Sequence, residues 1–118
     1  MTYQQQIGSL GEKIAAEFLF KKGFMLLDQN YHTRYGELDL ITAISATIVF
    51  VEVKTRTSNS FGNPESSITE AKLMRIQNAA LLWLQEHPKS GDDWRIDVVA
   101  VTMDGRKNVK EIQHFINV

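Results

Sequence analysis

Between Ile48 and Thr55 the sequence changes character within what reads as a single strand. Ile48-Val-Phe-Val51 is β-branched and aromatic, the composition of a strand buried on both faces at the centre of a sheet. Glu52-Val-Lys54-Thr55 continues the same strand but alternates charged and less polar residues. A preceding segment, Glu37-Leu-Asp39-Leu-Ile41, also alternates over Glu37 to Leu40, and Ile44, Ser45 and Ala46 read as a turn between the two. A hairpin turning at Ser45-Ala46 places Asp39 opposite Glu52 and Glu37 opposite Lys54. All four side chains then share one sheet face, because strand side chains repeat every two residues.

The remaining pattern surrounds this hairpin with helices and further strands. Leu10, Ile14, Ala15, Phe18 and Leu19 recur at helical spacing, Ser9-Leu-Gly-Glu12 reads as a capping box, and Lys21, Lys22 and Gly23 supply a stop. The spacing therefore predicts a helix beginning near Ser9. Phe24 to Asp28 reads as a short strand followed by polar residues up to Arg34. Arg56 to Ser66 is rich in Ser, Asn, Gly and Pro and reads as a loop, with Phe61 packed beneath it. Ser67-Ile-Thr-Glu70 is a second capping box, opening a helix to about Glu86 that Pro88 ends. Leu73, Ile76, Ala80, Trp83 and Leu84 form its apolar stripe, which assigns Trp83 to the core. Trp94 to Thr102 reads as a strand, Asp104-Gly105 as a turn, and Val109 to Phe115 as an edge strand. The order α-β-β-β-α-β, with an extra C-terminal strand, predicts an α/β fold: a mixed sheet flanked by helices.

Length and charge narrow the function. At 118 residues the chain predicts one domain spanning 1–118, large enough to bury a core without covalent staples. It contains no cysteine, which excludes disulfides and thiolate metal sites and suits a reducing compartment. Residues 1–8 lack a basic-then-apolar leader pattern, and the longest apolar run is too short to span a bilayer, so the expected location is the cytoplasm. The net charge of −1 provides no global attraction to nucleic acid, and any such binding must come from a local basic cluster.

Two carboxylates directly opposed on a hairpin have Cβ atoms about 4.5–5.5 Å apart and repel each other. A divalent cation between Asp39 and Glu52 relieves that repulsion. Mg2+, or Mn2+ in its place, takes one or two carboxylates and leaves positions for water and phosphate oxygens. Lys54 would then stand beside the cation, stabilising charge on a phosphate or orienting a water. Spacing alone leaves a second reading open: a solvated strand face carrying a surface Glu37–Lys54 pair.

Glu12, Glu37-Leu-Asp39 and Glu52-Val-Lys54 together resemble the PD-(D/E)xK nuclease signature. More closely, the chain resembles the bacterial YraN family, which is related to archaeal-type Holliday junction resolvases. The matching segments are Gly8-Ser-Leu-Gly-Glu12, Gly36-Glu-Leu-Asp-Leu-Ile41, Val49-Phe-Val-Glu-Val-Lys-Thr-Arg56, Phe61-Gly62, Lys72 and Arg95-Ile-Asp97. The resemblance implies a restriction endonuclease-like fold and a metal-dependent endonuclease acting on DNA, with branched DNA as the suggested substrate. It implies Asp39 and Glu52 as metal ligands, Lys54 as the catalytic lysine, and Glu12 reaching the same site from the first helix. A homodimer is expected because resolvase relatives act as dimers. Leu38 stands where the signature's name has proline, and His32 stands where many family members carry arginine, a phosphate contact for which Arg34 can substitute.

Other polar residues carry weaker signals. Glu12 is also explained as a capping-box glutamate. Arg56 and Lys72 are candidate phosphate contacts near the N-terminus of the second helix, against a solvated helix face pairing Lys72 with Glu70. Arg95 and Asp97 alternate on one strand and read as a structural salt bridge. His32, His87 and His114 lack ligand spacing and are assigned to no metal. The competing function is a non-catalytic module binding nucleic acid or a protein partner on the same fold, which the near-neutral charge favours and the acidic–acidic–lysine set disfavours. A scaffold with no ligand is the third reading.

Overall fold

The computed structural model describes residues 1–57 and 68–118. Helix α1 (Tyr3–Lys21) precedes three strands, β1 (Met25–Thr33), β2 (Gly36–Ile44) and β3 (Thr47–Thr57). Helix α2 (Glu70–Glu86) and a 3-10 turn (Pro88–Ser90) lead to β4 (Trp94–Met103) and β5 (Val109–Phe115). The strands form one sheet in the order β1-β2-β3-β4-β5. β3 is central, antiparallel to β2 and parallel to β4, and α2 lies on the connection between the parallel pair. The mixed sheet flanked by helices matches the architecture expected from the sequence, including its edge strand β5. Among the described residues no helix is long and apolar enough to cross a membrane.

Each sheet face has its own core. Val49, Val51, Val99 and Val101 pack with Ala15 and Leu19 of α1, while Ile48, Phe50 and Ile96 pack with Ile76, Ala80 and Trp83 of α2. The regular alternation along β3 thus serves both layers, and Trp83 is buried as its stripe position predicts.

Three boundaries differ from the sequence reading. Helix α1 starts six residues before Ser9. Thr2 is its N-cap, with Thr2 Oγ1 accepting from Gln5 N at 3.1 Å and Gln5 Oε1 accepting from Thr2 N at 2.9 Å. The glutamines are good helix formers, and Ile7 supplies a buried anchor that makes the extra turns stable. Glu12 therefore sits in the middle of a helix, and the capping explanation of it falls away. The helix ends as expected at Gly23, whose φ of +98° suits glycine. Phe24 N donates to Leu19 O and Gly23 N to Phe20 O, the paired bonds of a Schellman stop. Second, β1 continues through the polar stretch to Thr33, because an edge strand leaves those side chains in water. Third, β3 extends through Thr57, so Arg56 is a strand residue. The expected loop residues Asn59–Asn63, including Phe61, and the Ser67 end of the second capping box lie outside the described residues. Thr69 caps α2, its Oγ1 accepting from Lys72 N.

Candidate functional site

The hairpin register is the one expected: Ile44 pairs with Thr47 around the two-residue turn, and the ladder runs regularly to Leu40–Val51. The next step is irregular. Leu38 packs on the α2 side and Leu40 on the α1 side, although residues two apart on a regular strand share a face. The chain of β2 turns over at Asp39. Asn30, in the left-handed region at φ +49°, lies on β1 between the pairs Gln29–Leu40 and Tyr31–Leu38 that bracket this point. Where the regular ladder ends, Asp39 Oδ2 accepts a hydrogen bond from Val53 N at 2.9 Å.

This departure gathers acids from three elements. Glu12 of α1 and Glu37 and Asp39 of β2 each offer a carboxylate oxygen, all within 4.8 Å of one another. Glu52 of β3 is buried and lies within hydrogen-bonding reach of Asp39. Burial, the Glu52 carboxylate and its hydrogen bond, and the charge of Glu12 push the Asp39 carboxyl up to about 8; the Val53 N–H offsets only part of this. The expected facing pair of Glu37 and Lys54 does not form, because the register is not continued past the end of the ladder. Glu37 Oε1 instead accepts from Asn30 Nδ2 at 2.8 Å, and its Oε2 lies 3.3 Å from His32 Nδ1.

Close approach of α1 to β3 brings Glu12 into reach. Gly11 faces Thr55 so tightly that a Cβ there would lie 2.0 Å from Thr55 Oγ1. A larger residue at 11 would force the helix outward, taking Glu12 with it.

The cations are arranged around the acids. Lys72 Nζ lies 2.9 Å from Glu52 Oε1, a different partner from the Glu70 of the alternative reading, and Glu52 Oε2 lies outside that contact. Lys54 has no ion-pair partner among the described residues. Together with Glu12, Arg56, Lys72, Tyr3 and Gln4 it lines a cleft of about 500 Å³. Glu52 and Lys72 also line a recess of about 110 Å³ with Tyr35, Glu37 and Arg75. Arg34 is exposed and stacks on Tyr35, with Arg34 Nη2 donating to the Tyr35 hydroxyl at 3.1 Å.

The expected salt bridge at Asp97 forms, and it is larger than the sequence suggested. Arg95 donates to both carboxylate oxygens at 2.9 and 3.2 Å, His114 Nε2 lies 2.8 Å from Oδ2, and Asn117 N donates to Oδ1 at 2.9 Å. His114, scattered in sequence terms, is thus a structural partner on β5.

Sequence reasoning singled out Glu12, Asp39, Glu52 and Lys54, of which the three acids lie together and Lys54 lines a cleft with Glu12. It missed Asn30 and the position of Glu37. The available signal was an asparagine within a polar run leading to the hairpin, since asparagine tolerates the left-handed backbone that breaks strand regularity.

A five-stranded mixed sheet with helices against both faces, and acids collected where β2 and β3 lose their ladder, defines a restriction endonuclease-like α/β domain. Residues 11–101 match the model of the family described as "Uncharacterised protein family UPF0102". A UPF0102 protein from Syntrophomonas wolfei is 43% identical over 113 residues, covering 96% of each chain. UPF0102 proteins from Mycolicibacterium vanbaalenii and Alkaliphilus oremlandii are 42% and 41% identical, covering 92% and 96% of this chain. The chain belongs to the UPF0102 family, also called YraN.

Proposed function

We propose that the protein is a metal-dependent endonuclease acting on DNA. The observation that carries this reading is the convergence of Glu12, Glu37 and Asp39 within 4.8 Å, with Glu52 against Asp39 and Lys54 beside them without a counter-ion among the described residues. Four carboxylates offer hard oxygen ligands, the chemistry suited to Mg2+ or Mn2+. The upward shift of Asp39 supports the fit: the clustered acids carry more negative charge than their donors neutralise, which a divalent cation corrects.

Asp39, with Glu12, Glu37 and Glu52, would hold the cation. When bound, that cation supplies a water of lowered pKa and Lewis-acid polarisation of a phosphate oxygen. Lys54 places a fixed ammonium in the cleft to stabilise negative charge developing on the phosphate in transit. Glu52 keeps Lys72 close, so Lys72 and Arg56 line the approach of the phosphodiester backbone, and Arg34 offers a more distant contact. The Asp39–Val53 hydrogen bond fixes the carboxylate to β3 and limits its reorganisation during the reaction. Branched DNA is the substrate class suggested by the resolvase resemblance, and pairing of two copies would supply the surface needed to span a junction.

The test incubates purified protein with single-stranded, duplex and four-way-junction DNA in Mg2+ or Mn2+. Cleavage is expected to require the metal and to be lost in Asp39→Ala and Lys54→Ala variants that retain wild-type circular dichroism. The net charge of −1 favours a second reading, a binding module without chemistry. It predicts metal-independent DNA affinity with no cut product under any of these conditions.

A further inference from the structure

Asn30 makes a contact that no element of the acidic cluster provides for itself. Its Nδ2 lies 2.8 Å from Glu12 Oε1 and 2.8 Å from Glu37 Oε1. A primary amide has two N–H groups on one nitrogen, so it can donate to two acceptors at once. The orientation is fixed chemically, because turning the amide oxygen toward two carboxylates would replace two attractions with two repulsions. Among the described residues Asn30 is the only hydrogen-bond partner of the Glu12 side chain. The backbone of Asn30 is left-handed, a conformation that asparagine and glycine tolerate and most residues do not.

We infer that Asn30 is the positioning residue of the acidic cluster, holding Glu12 of α1 and Glu37 of β2 at a fixed separation from a third element. The inference rests on the reading that this cluster binds a divalent cation. A neutral double donor suits the role. It lowers the repulsion between the two acids while adding no charge that would compete with a cation, and each carboxylate keeps lone pairs for coordination. Lysine at this position would occupy the cation's place, and aspartate would add another negative charge.

Two substitutions separate the amide from the backbone. Asn30→Gly keeps the left-handed conformation and removes the donor; Asn30→Asp keeps the shape and reverses the donor's role. Calorimetric titration with Mn2+ is expected to give a 10- to 100-fold weaker Kd for Asn30→Gly than for wild type, the range for loss of a partner that orients metal ligands. Its metal-free thermal midpoint should stay within a few degrees of wild type. Asn30→Asp should lower the metal-free midpoint at pH 8 and gain more from Mn2+ than wild type gains. Equal Mn2+ affinity in wild type and Asn30→Gly overturns the inference. If wild type itself binds no Mn2+, the endonuclease reading fails, and the clamp is decided separately by NMR of the Asn30 side-chain amide without metal. Hydrogen exchange slowed in wild type and released in the Glu12→Ala/Glu37→Ala double variant supports the clamp; exchange at the free-amide rate in wild type overturns it.

Discussion

Asp39 and Asp97 are aspartates withdrawn from water on the same sheet, yet their surroundings drive them in opposite directions. Burial pushes the Asp97 carboxyl up, but Arg95, the Asn117 N–H and His114 outweigh it, and the group lies below the ordinary carboxylate range. Asp39 is also pushed up by burial, and its neighbours Glu52 and Glu12 add to the shift, which the Val53 N–H opposes only in part. A withdrawn carboxylate with enough donors is structural. One with too few is strained until something positive arrives, which is the condition of a ligand site.

Removing each group tests the contrast most sharply. Asp97→Ala leaves Arg95 and His114 facing an emptied, buried position. It should cost about 3–5 kcal/mol in urea unfolding, as breaking a buried charge pair does. Asp39→Asn should act in the opposite sense. It should raise the thermal midpoint of the metal-free protein at pH 8, and a fall there would remove the claim that the acids repel one another.

The position of Glu12 depends on contact between helix and sheet. Gly11→Ala is expected to destabilise the protein by about 1–3 kcal/mol through overpacking against Thr55, with partial rescue by Thr55→Gly. Absence of any cost in denaturant unfolding would mean that α1 moves freely, and that Glu12 is not held by this contact.

Cation binding sharpens the comparison further. At 100 times Kd, Mn2+ should stabilise wild type by about 2.7 kcal/mol, read as a raised melting temperature, and leave Asp39→Ala unchanged. An equal rise in both proteins would place the metal elsewhere.

The pH dependence distinguishes the two aspartates by sign. Folded Asp39 holds its proton to about pH 8, whereas the unfolded group releases it near 3.8. Stability of the metal-free protein should therefore fall as pH rises between those values, by at most about 1.4 kcal/mol per pH unit, and then level off. Asn at 39 removes that slope. Asp97 contributes in the opposite sense: its stabilisation is present above the unfolded pKa and is lost as pH falls through the lower folded pKa. The smallest effect belongs to Lys72→Ala. Loss of its partly exposed ion pair to Glu52 should cost about 1 kcal/mol or less, while tightening Mn2+ binding by freeing Glu52 Oε1.

The sequence by itself determined the element order, the two-residue turn at Ser45-Ala46 and the register from Ile44–Thr47 to Leu40–Val51. Strand alternation and turn chemistry are local, and shifting the hairpin by one residue would turn Ile41 away from the α2 core it packs in. That local logic put Asp39 and Glu52 on neighbouring strands, one step beyond the last regular pair. The tertiary structure decided the end of the ladder, the turning of β2 at Asp39, and the choice of Asn30 for Glu37 and Lys72 for Glu52. Those outcomes depend on where β1, α1 and α2 pack around the hairpin. A carboxylate takes whichever donor the fold brings within about 3 Å, and no spacing along the chain specifies that donor.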